Sequence, residues 1–184
     1  SMTGTLTRAL AGIYATCLHV YTTATTNMDL RNNILYNAVT NTGYTVNNYT
    51  AYITATSTCT SINYNDYYTS GTNLGFYNGT TCTNLAAWQT ATAQDANSIS
   101  SNPLFASNTD LRPGIGSPVL NAGTPIGSVT TDYLGVTRNA TTPTIGAYEQ
   151  GVDASGPTIT YTAIPNTTST SNVVLTGFAA ITDV

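Results

Sequence analysis

Lysine is absent from this chain, and charge of either sign is scarce. Only 7% of the 184 residues are charged: four arginines (Arg8, Arg31, Arg112, Arg138) and eight acidic residues, for a net charge of −4. An average globular protein carries about 25% charged residues. So thin a basic set cannot neutralise a phosphate backbone, which excludes nucleic-acid binding. No apolar run approaches the ~20 residues of a membrane-spanning helix. The first residues lack the order of charged, apolar and small residues that marks a secretory signal. Straight-chain helix formers are few, so long helices are not expected. One His, one Trp and three Cys (Cys17, Cys59, Cys82) restrict metal and nucleophile chemistry. The cysteine spacings match no compact zinc motif, and an odd count leaves at least one thiol unpaired in a monomer. No nucleophile elbow, phosphate loop or H-E-x-x-H pattern occurs.

What is abundant points to strands. Thr and Asn make up roughly a third of the chain, far above average usage. Tyr occurs 13 times, and 41% of residues are hydrophobic. That apolar share and the low net charge argue against disorder. Tyr, Thr, Ile and Val suit a pleated, half-buried surface, so the fold class expected is all-β.

An internal repeat refines the expectation. Leu30-Arg31-Asn32-Asn33-Ile34-Leu35-Tyr36 aligns with Ile62-Asn63-Tyr64-Asn65-Asp66-Tyr67-Tyr68 and with Ile99-Ser100-Ser101-Asn102-Pro103-Leu104-Phe105, at intervals of 32 and 37 residues. Each copy has an aliphatic residue, then Asn three positions on, then two large apolar positions. A fainter match joins 11–16 to 51–56. Repeats of this length read as a solenoid, in which stacked turns of short strands bury one continuous core. Asn33, Asn65 and Asn102 are expected at sharp left-handed corners, with their amides bonded along the stack. Leu85–Ala91, rich in Ala and Leu, is the best helical stretch, capped by Thr83 or Asn84, with Trp88 covering the core.

The later sequence carries a resemblance. The stretches 85–105, 110–123 (DLRPGIGSPVLNAG) and 132–149 (DYLGVTRNATTPTIGAYE) resemble the C-terminal end of bacterial right-handed parallel β-helix proteins of the pectate-lyase-like fold. Residues 5–150 are covered, most specifically through Asn102-Pro103-Leu104-Phe105, Gly116-Ser117-Pro118-Val119 and Ile145-Gly146-Ala147-Tyr148-Glu149. The resemblance implies a right-handed parallel β-helix with a short helix over 1–150, closed by these motifs, in a secreted or cell-surface bacterial protein. After a linker at 152–157, the strands at 157–162 and 172–178 are similar to the start of an immunoglobulin-like module. About 34 residues are too few for a sandwich of ~100 residues. The chain is therefore expected to be cut at both ends, and exposed solenoid ends favour self-association.

Enzymes of that fold include calcium-dependent polysaccharide lyases with an Arg or Lys base, galacturonases with Asp clusters and esterases with paired Asp. The residues available here for such work are Asp29, Asp66, Asp95, Asp110, Asp132, Glu149, Arg31, Arg112, Arg138 and His19. Asp29 and Arg31 flank Leu30 and so face away from the core on one strand. With Asp66 on the next turn they form the candidate catalytic set (Asp29, Asp66, Arg31). Asp29, Asp66 and Asp110 are the candidate Ca²⁺ ligands, since calcium takes six to eight oxygens, by the usual count of about that number. The plainer reading makes Asp29–Arg31 and Asp110–Arg112 surface ion pairs. Asp132 and Arg138 suit a turn, and Glu149 suits backbone capping. Cys17 and His19 read either as a nucleophile or metal pair or, preferably, as alternate strand positions beside a buried thiol. Two functions follow. The first is a structural or adhesive surface fragment that binds polysaccharide. The second is a calcium-assisted hydrolase or lyase acting on an ester, a lactone or an acidic polysaccharide.

Overall fold

A computed structural model describes residues 2–6, 14–21, 27–41, 47–54 and 59–149. The chain divides into two compact units, 1–154 and 155–184, and every described residue lies in the first. The expected immunoglobulin-like strands fall outside the described residues.

Nine short strands precede the only helix of the described residues. They are β1 (Met2–Leu6), β2 (Tyr14–Val20), β3 (Met28–Arg31), β4 (Ile34–Asn41), β5 (Asn47–Ile53), β6 (Cys59–Asn63), β7 (Asp66–Thr69), β8 (Gly75–Tyr77) and β9 (Thr80–Cys82), followed by α1 (Leu85–Thr92). They form three sheets, ordered β1-β4-β7, β2-β5-β8-β9 and β3-β6. All pairs are parallel except the β8–β9 hairpin. Asn78 and Gly79, both at positive φ, make its two-residue turn, which suits the twist of a tight hairpin.

Strand alternation sends one face of each sheet to a shared core. Val20, Ala51, Ile53, Ile62, Tyr67, Tyr77 and Cys82 gather there around Trp88, with Leu30 and Leu35 packed against them. The α1 helix begins where Asn84 accepts the Ala87 amide (2.9 Å), as an N-cap should. It ends at Ala93 in the left-handed conformation. Trp88, fully buried, is the side chain it drives into the core.

The expected right-handed parallel β-helix is corrected by this arrangement. The strands lie in small, separate parallel and mixed sheets, and no solenoid or closed sheet is found among the described residues. The repeat holds for its first two copies only: Ile34–Asn37 pair with Asp66–Thr69. The third copy adds a single bridge, Asp66 to Ile99, and later pairing is confined to isolated bridges at Phe105–Pro113 and Thr131–Thr137. Composition explains the stop. All seven prolines lie at or beyond position 103, and proline cannot donate to a ladder.

The asparagines also depart from expectation. The left-handed corner residues are Asn32 (φ 57°) and Tyr64 (φ 54°), one position before the repeated Asn. Asn33 and Asn65 do stack: Asn65 Oδ1 accepts from both the amide and Nδ2 of Asn33 (3.0 Å each). Asn102 takes no rung and instead accepts the Leu104 amide. The third level belongs to Ser98, whose Oγ accepts the Asn65 amide (2.8 Å).

The outer edges of β6, β7 and β8 are all occupied. Ile62 of β6 bonds Gln94 Oε1 through its amide (2.7 Å) and the Asp95 amide through its carbonyl (2.9 Å). On β7, Ile99 accepts from the Tyr67 amide (2.9 Å) and donates to the Asn65 carbonyl (2.8 Å). On β8 the partner is β9.

Residues 106–149 lie over the β3–β4 corner. Asn32 holds them with both ends of its amide: Nδ2 donates to the Thr124 carbonyl (2.7 Å) and Oδ1 accepts the Thr124 amide (2.9 Å). Gly123 has to be glycine here, because a Cβ would meet Pro143 O at 2.7 Å and Asn32 Oδ1 at 2.9 Å.

Candidate functional site

The sequence-derived acidic candidates do not converge. Asp29 lies on β3, and both its oxygens are taken by Arg31 (2.7 and 2.5 Å). Its carboxyl is held below its ordinary range chiefly by that bond. Asp110 is gripped by Arg112 in the same way (2.5 to 3.1 Å), which brings it down to about 2. Both pairs sit at the surface. Among the described residues no group of three or more His, Cys, Asp or Glu is placed to hold a metal ion. For calcium, Asp29, Asp66 and Asp110 would thus have to act apart.

Asp66 behaves differently. In register it stands beside Ile34 of β4, on the sheet face opposite the core residue Tyr67. That face points away from the core. Even so, the residue is fully buried. The segment Ile99–Phe105 lies over it. Oδ1 accepts the Ser101 amide (3.0 Å), whereas Oδ2 is buried with no partner among the described residues. Burial pushes the carboxyl up to about 7, against the opposing pull of the Ser101 amide. With no solvent access, Asp66 cannot meet a substrate in this conformation.

A second buried carboxyl is Asp95, which the sequence alone does not set apart from the other acids. It is the best-satisfied polar group of the core. Oδ2 accepts from Trp88 Nε1 (2.6 Å) and Tyr67 Oη (2.8 Å). Oδ1 accepts from Asn65 Nδ2 (3.3 Å) and from Ser98 Oγ. The Tyr67 hydroxyl is raised well above its ordinary range by burial first and by Asp95 second. A local cue did exist: Trp88 and Asp95 are seven residues apart, two turns along a helix and its exit.

The closing motif is a staple. Glu149 accepts the amides of Asn139 (2.8 Å) and Thr144 (3.2 Å) and pairs with Arg138 (3.3 Å). Arg138 also donates to the carbonyls of Thr144 (3.0 Å) and Gly146 (2.7 Å). Asp132 accepts amides from Leu134, Val136 and Glu149 (2.8 to 2.9 Å). Burial pushes the Asp132 carboxyl up, but these amides outweigh it and hold it below its ordinary value. Every acid and base of the motif is thereby spent on folding the loop.

The Cys17–His19 pair is not assembled. The Cys17 thiol donates to the Tyr36 carbonyl (3.1 Å), and burial pushes it up to about 11. The exposed His19 ring meets Tyr52 edge-on at 5.0 Å. A thiol so far into its protonated form is no nucleophile at neutral pH.

Concave surface is found elsewhere, on both sides of a ridge. Gly146 donates its amide to the Asn32 carbonyl (2.9 Å), and these two residues border two clefts. One, of about 530 Å³, is walled by Pro125, Ile126, Val129, Ala140 and Pro143, with Arg31 and Arg138 at its margin. Both arginines are neutralised by their carboxylates. The other, of about 540 Å³, is lined by Asn33, Phe105, Leu111, Tyr133, Ala147 and Tyr148. Tyr133 is 77% exposed and stands edge-to-face with Tyr148 at 5.8 Å. Behind Phe105, Tyr36 and Tyr68 are stacked at 5.0 Å, and Phe105 meets Tyr36 edge-on at 5.5 Å. Both volumes fall in the usual range for ligand sites, about 300–1,000 Å³. No protein-family model, curated protein or solved structure matches this chain.

Proposed function

We propose that this chain is part of a secreted or cell-surface protein, structural or adhesive in role, that holds a neutral polysaccharide in the aromatic cleft. The supporting observation is the cleft between Asn33, Phe105, Tyr133 and Tyr148. An exposed phenol beside a second aromatic ring offers an apolar face with a polar edge, which suits the two-sided chemistry of a sugar. The Asn33 amide adds donor and acceptor capacity. Charge plays no part, because the nearby arginines are already paired and the chain is net negative.

The hydrolase or lyase alternative draws no comparable support. Asp29 and Asp110 are occupied by arginines, and Asp66 is closed off from solvent. No helix among the described residues is long and apolar enough to cross a membrane.

The test is affinity electrophoresis in gels containing soluble β-glucan, mannan or xylan. At least one polymer is expected to retard the protein. Tyr133→Ala is expected to weaken that binding about tenfold, the scale of losing one aromatic contact of ~1 kcal/mol together with its buried area. Free migration in every polymer, or retardation indifferent to Tyr133→Ala and Tyr148→Ala, would defeat the proposal.

A further inference from the structure

Four bonds tie the strap Ile99–Phe105 to β7. Two are the backbone bonds of Ile99 described above. The third runs from Ser100 Oγ to the Tyr67 carbonyl (2.8 Å), and the fourth from the Ser101 amide to Asp66 Oδ1 (3.0 Å). Beyond them the strap delivers Phe105, which forms one wall of the aromatic cleft. Asp66 thus lies under the base of that wall. Its second oxygen is sealed in without a partner among the described residues. A buried ionised carboxylate needs a partner for each oxygen, and this one lacks it.

Among the described residues, no charged side chain is placed against Asp66. β4 presents Ile34, and the strap presents Ile99 to Ser101, none of them ionisable. The ionisable side chains on this face of β4 and β7 are the phenols Tyr36 and Tyr68, stacked on each other. Burial and the Ser101 amide alone set its behaviour, and burial is the larger.

We propose that Asp66 is a proton-operated latch, which holds the strap and the Phe105 wall in place while protonated and releases them when the proton is lost. The effect on saccharide binding rests on the cleft reading above; the latch itself does not. The direction follows from linkage. A closed strap keeps the proton up to about pH 7, whereas an open, hydrated carboxyl loses it near its ordinary value of 3.8. Below about pH 4 both forms are protonated and the latch is strongest. Between about pH 4 and pH 7 the open population rises about tenfold per pH unit, about a thousandfold in all, and then levels off.

Amide hydrogen exchange, corrected for the intrinsic pH dependence, reads this directly. Protection of the Ile99 and Ser101 amides is expected to fall about tenfold per unit across that window. The amides of Gly123 and Val129, bonded to the carbonyls of Pro143 and Ile126, serve as references and are expected to stay level. Asp66→Asn, which keeps the Ser101 acceptor without the titration, is expected to flatten the strap profile. Level protection at Ile99 and Ser101 in the wild-type protein, or equal slopes at the strap and reference amides, would overturn the latch. The wild-type comparison stands even if the variant does not fold. Gels containing the retarding polysaccharide, run at pH 5 and pH 7.5, separate the two ideas. A pH-dependent strap in a protein that no polysaccharide retards leaves the latch and removes the cleft reading. Retardation in a protein with a flat strap profile does the reverse.

Discussion

Replacing Asp95 by Asn probes the centre of the core. The Asp95 carboxyl receives four donors: Trp88 Nε1, Tyr67 Oη, Asn65 Nδ2 and Ser98 Oγ. An Asn has one acceptor oxygen and an NH₂ group. Its best orientation keeps the oxygen toward Trp88 and Tyr67 and turns the NH₂ toward Ser98, whose hydroxyl is able to rotate and accept. The longer Asn65 bond (3.3 Å) is then lost, though Asn65 Nδ2 keeps the Leu30 carbonyl (2.8 Å). Two charge-assisted bonds become neutral ones, at about 1 kcal/mol each, and one donor is crowded. The sum is about 2–4 kcal/mol of lost stability. At this chain length each kcal/mol lowers Tm by roughly 2–4 °C, so a fall of about 5–15 °C is expected. The assay is thermal unfolding followed by the fluorescence of Trp88, the only tryptophan. Asp95→Ala is expected to cost more, since it orphans donors on Trp88 and Ser98 as well. A Tm change within about 2 °C for Asp95→Asn would show that these bonds contribute little, and the account of the core would fail.

Other outcomes follow from single positions. A Cβ at Gly75 would stand 2.6 Å from Trp88 Cε3, so Gly75→Ala is expected to cost about 1–3 kcal/mol, measured by urea unfolding. Gly123→Ala is expected to cost a similar ~1–3 kcal/mol and to expose residues 123–124 to proteolysis, because the new methyl displaces the Asn32 tether. Asp29→Asn, which breaks an exposed ion pair, is expected to change stability by about 1 kcal/mol or less. A larger loss, or any loss of an enzymatic activity, would give Asp29 a role beyond pairing. Asp132 titrates below its ordinary value, so its support of the closing loop is present above the unfolded pKa and lost as pH falls through the folded one. Exchange at the Leu134, Val136 and Glu149 amides is expected to speed up below about pH 4 in the wild-type protein relative to Asp132→Asn.

Much of the local structure was legible in the sequence, and the larger plan was not. The stacking of Asn33 on Asn65 was readable because the same residue recurs at the same place in two strand-forming segments. Asn84 as helix cap and Trp88 as core were readable from composition and spacing. The left-handed corners were missed by one residue, since Tyr64 gives no warning that it will adopt positive φ. The solenoid expectation extended a two-copy repeat through a third segment in which Pro103, with the prolines that follow it, prevents a ladder. Among site residues, the flanking pattern around Leu30 and Leu111 revealed the two ion pairs. Asp66 was read only as a neighbour of Asp29 and Arg31 on the next turn. Its burial depends on a strap arriving from 33 residues further along, which no local signal reports. Asp95 was legible only in part: Trp88 and Ser98 lie close to it in sequence, but Tyr67 and Asn65 come from 28 and 30 residues earlier.

The covering of β6, β7 and β8 has a consequence for size. A bare strand edge is a template on which another strand can add. Here the stretch from Thr80 to Ser101 fills the edges with a hairpin, a glutamine side chain and a single turn of strap. That stretch acts as an end-stop. A further strand, from this chain or another copy, would have to dislodge Gln94, Ile99 or β9 before it could pair with β6, β7 or β8. Among the described residues the three ladders therefore end together, at Gln94, at Ile99 and at β9, and none of them carries over into the chain that follows Ser101.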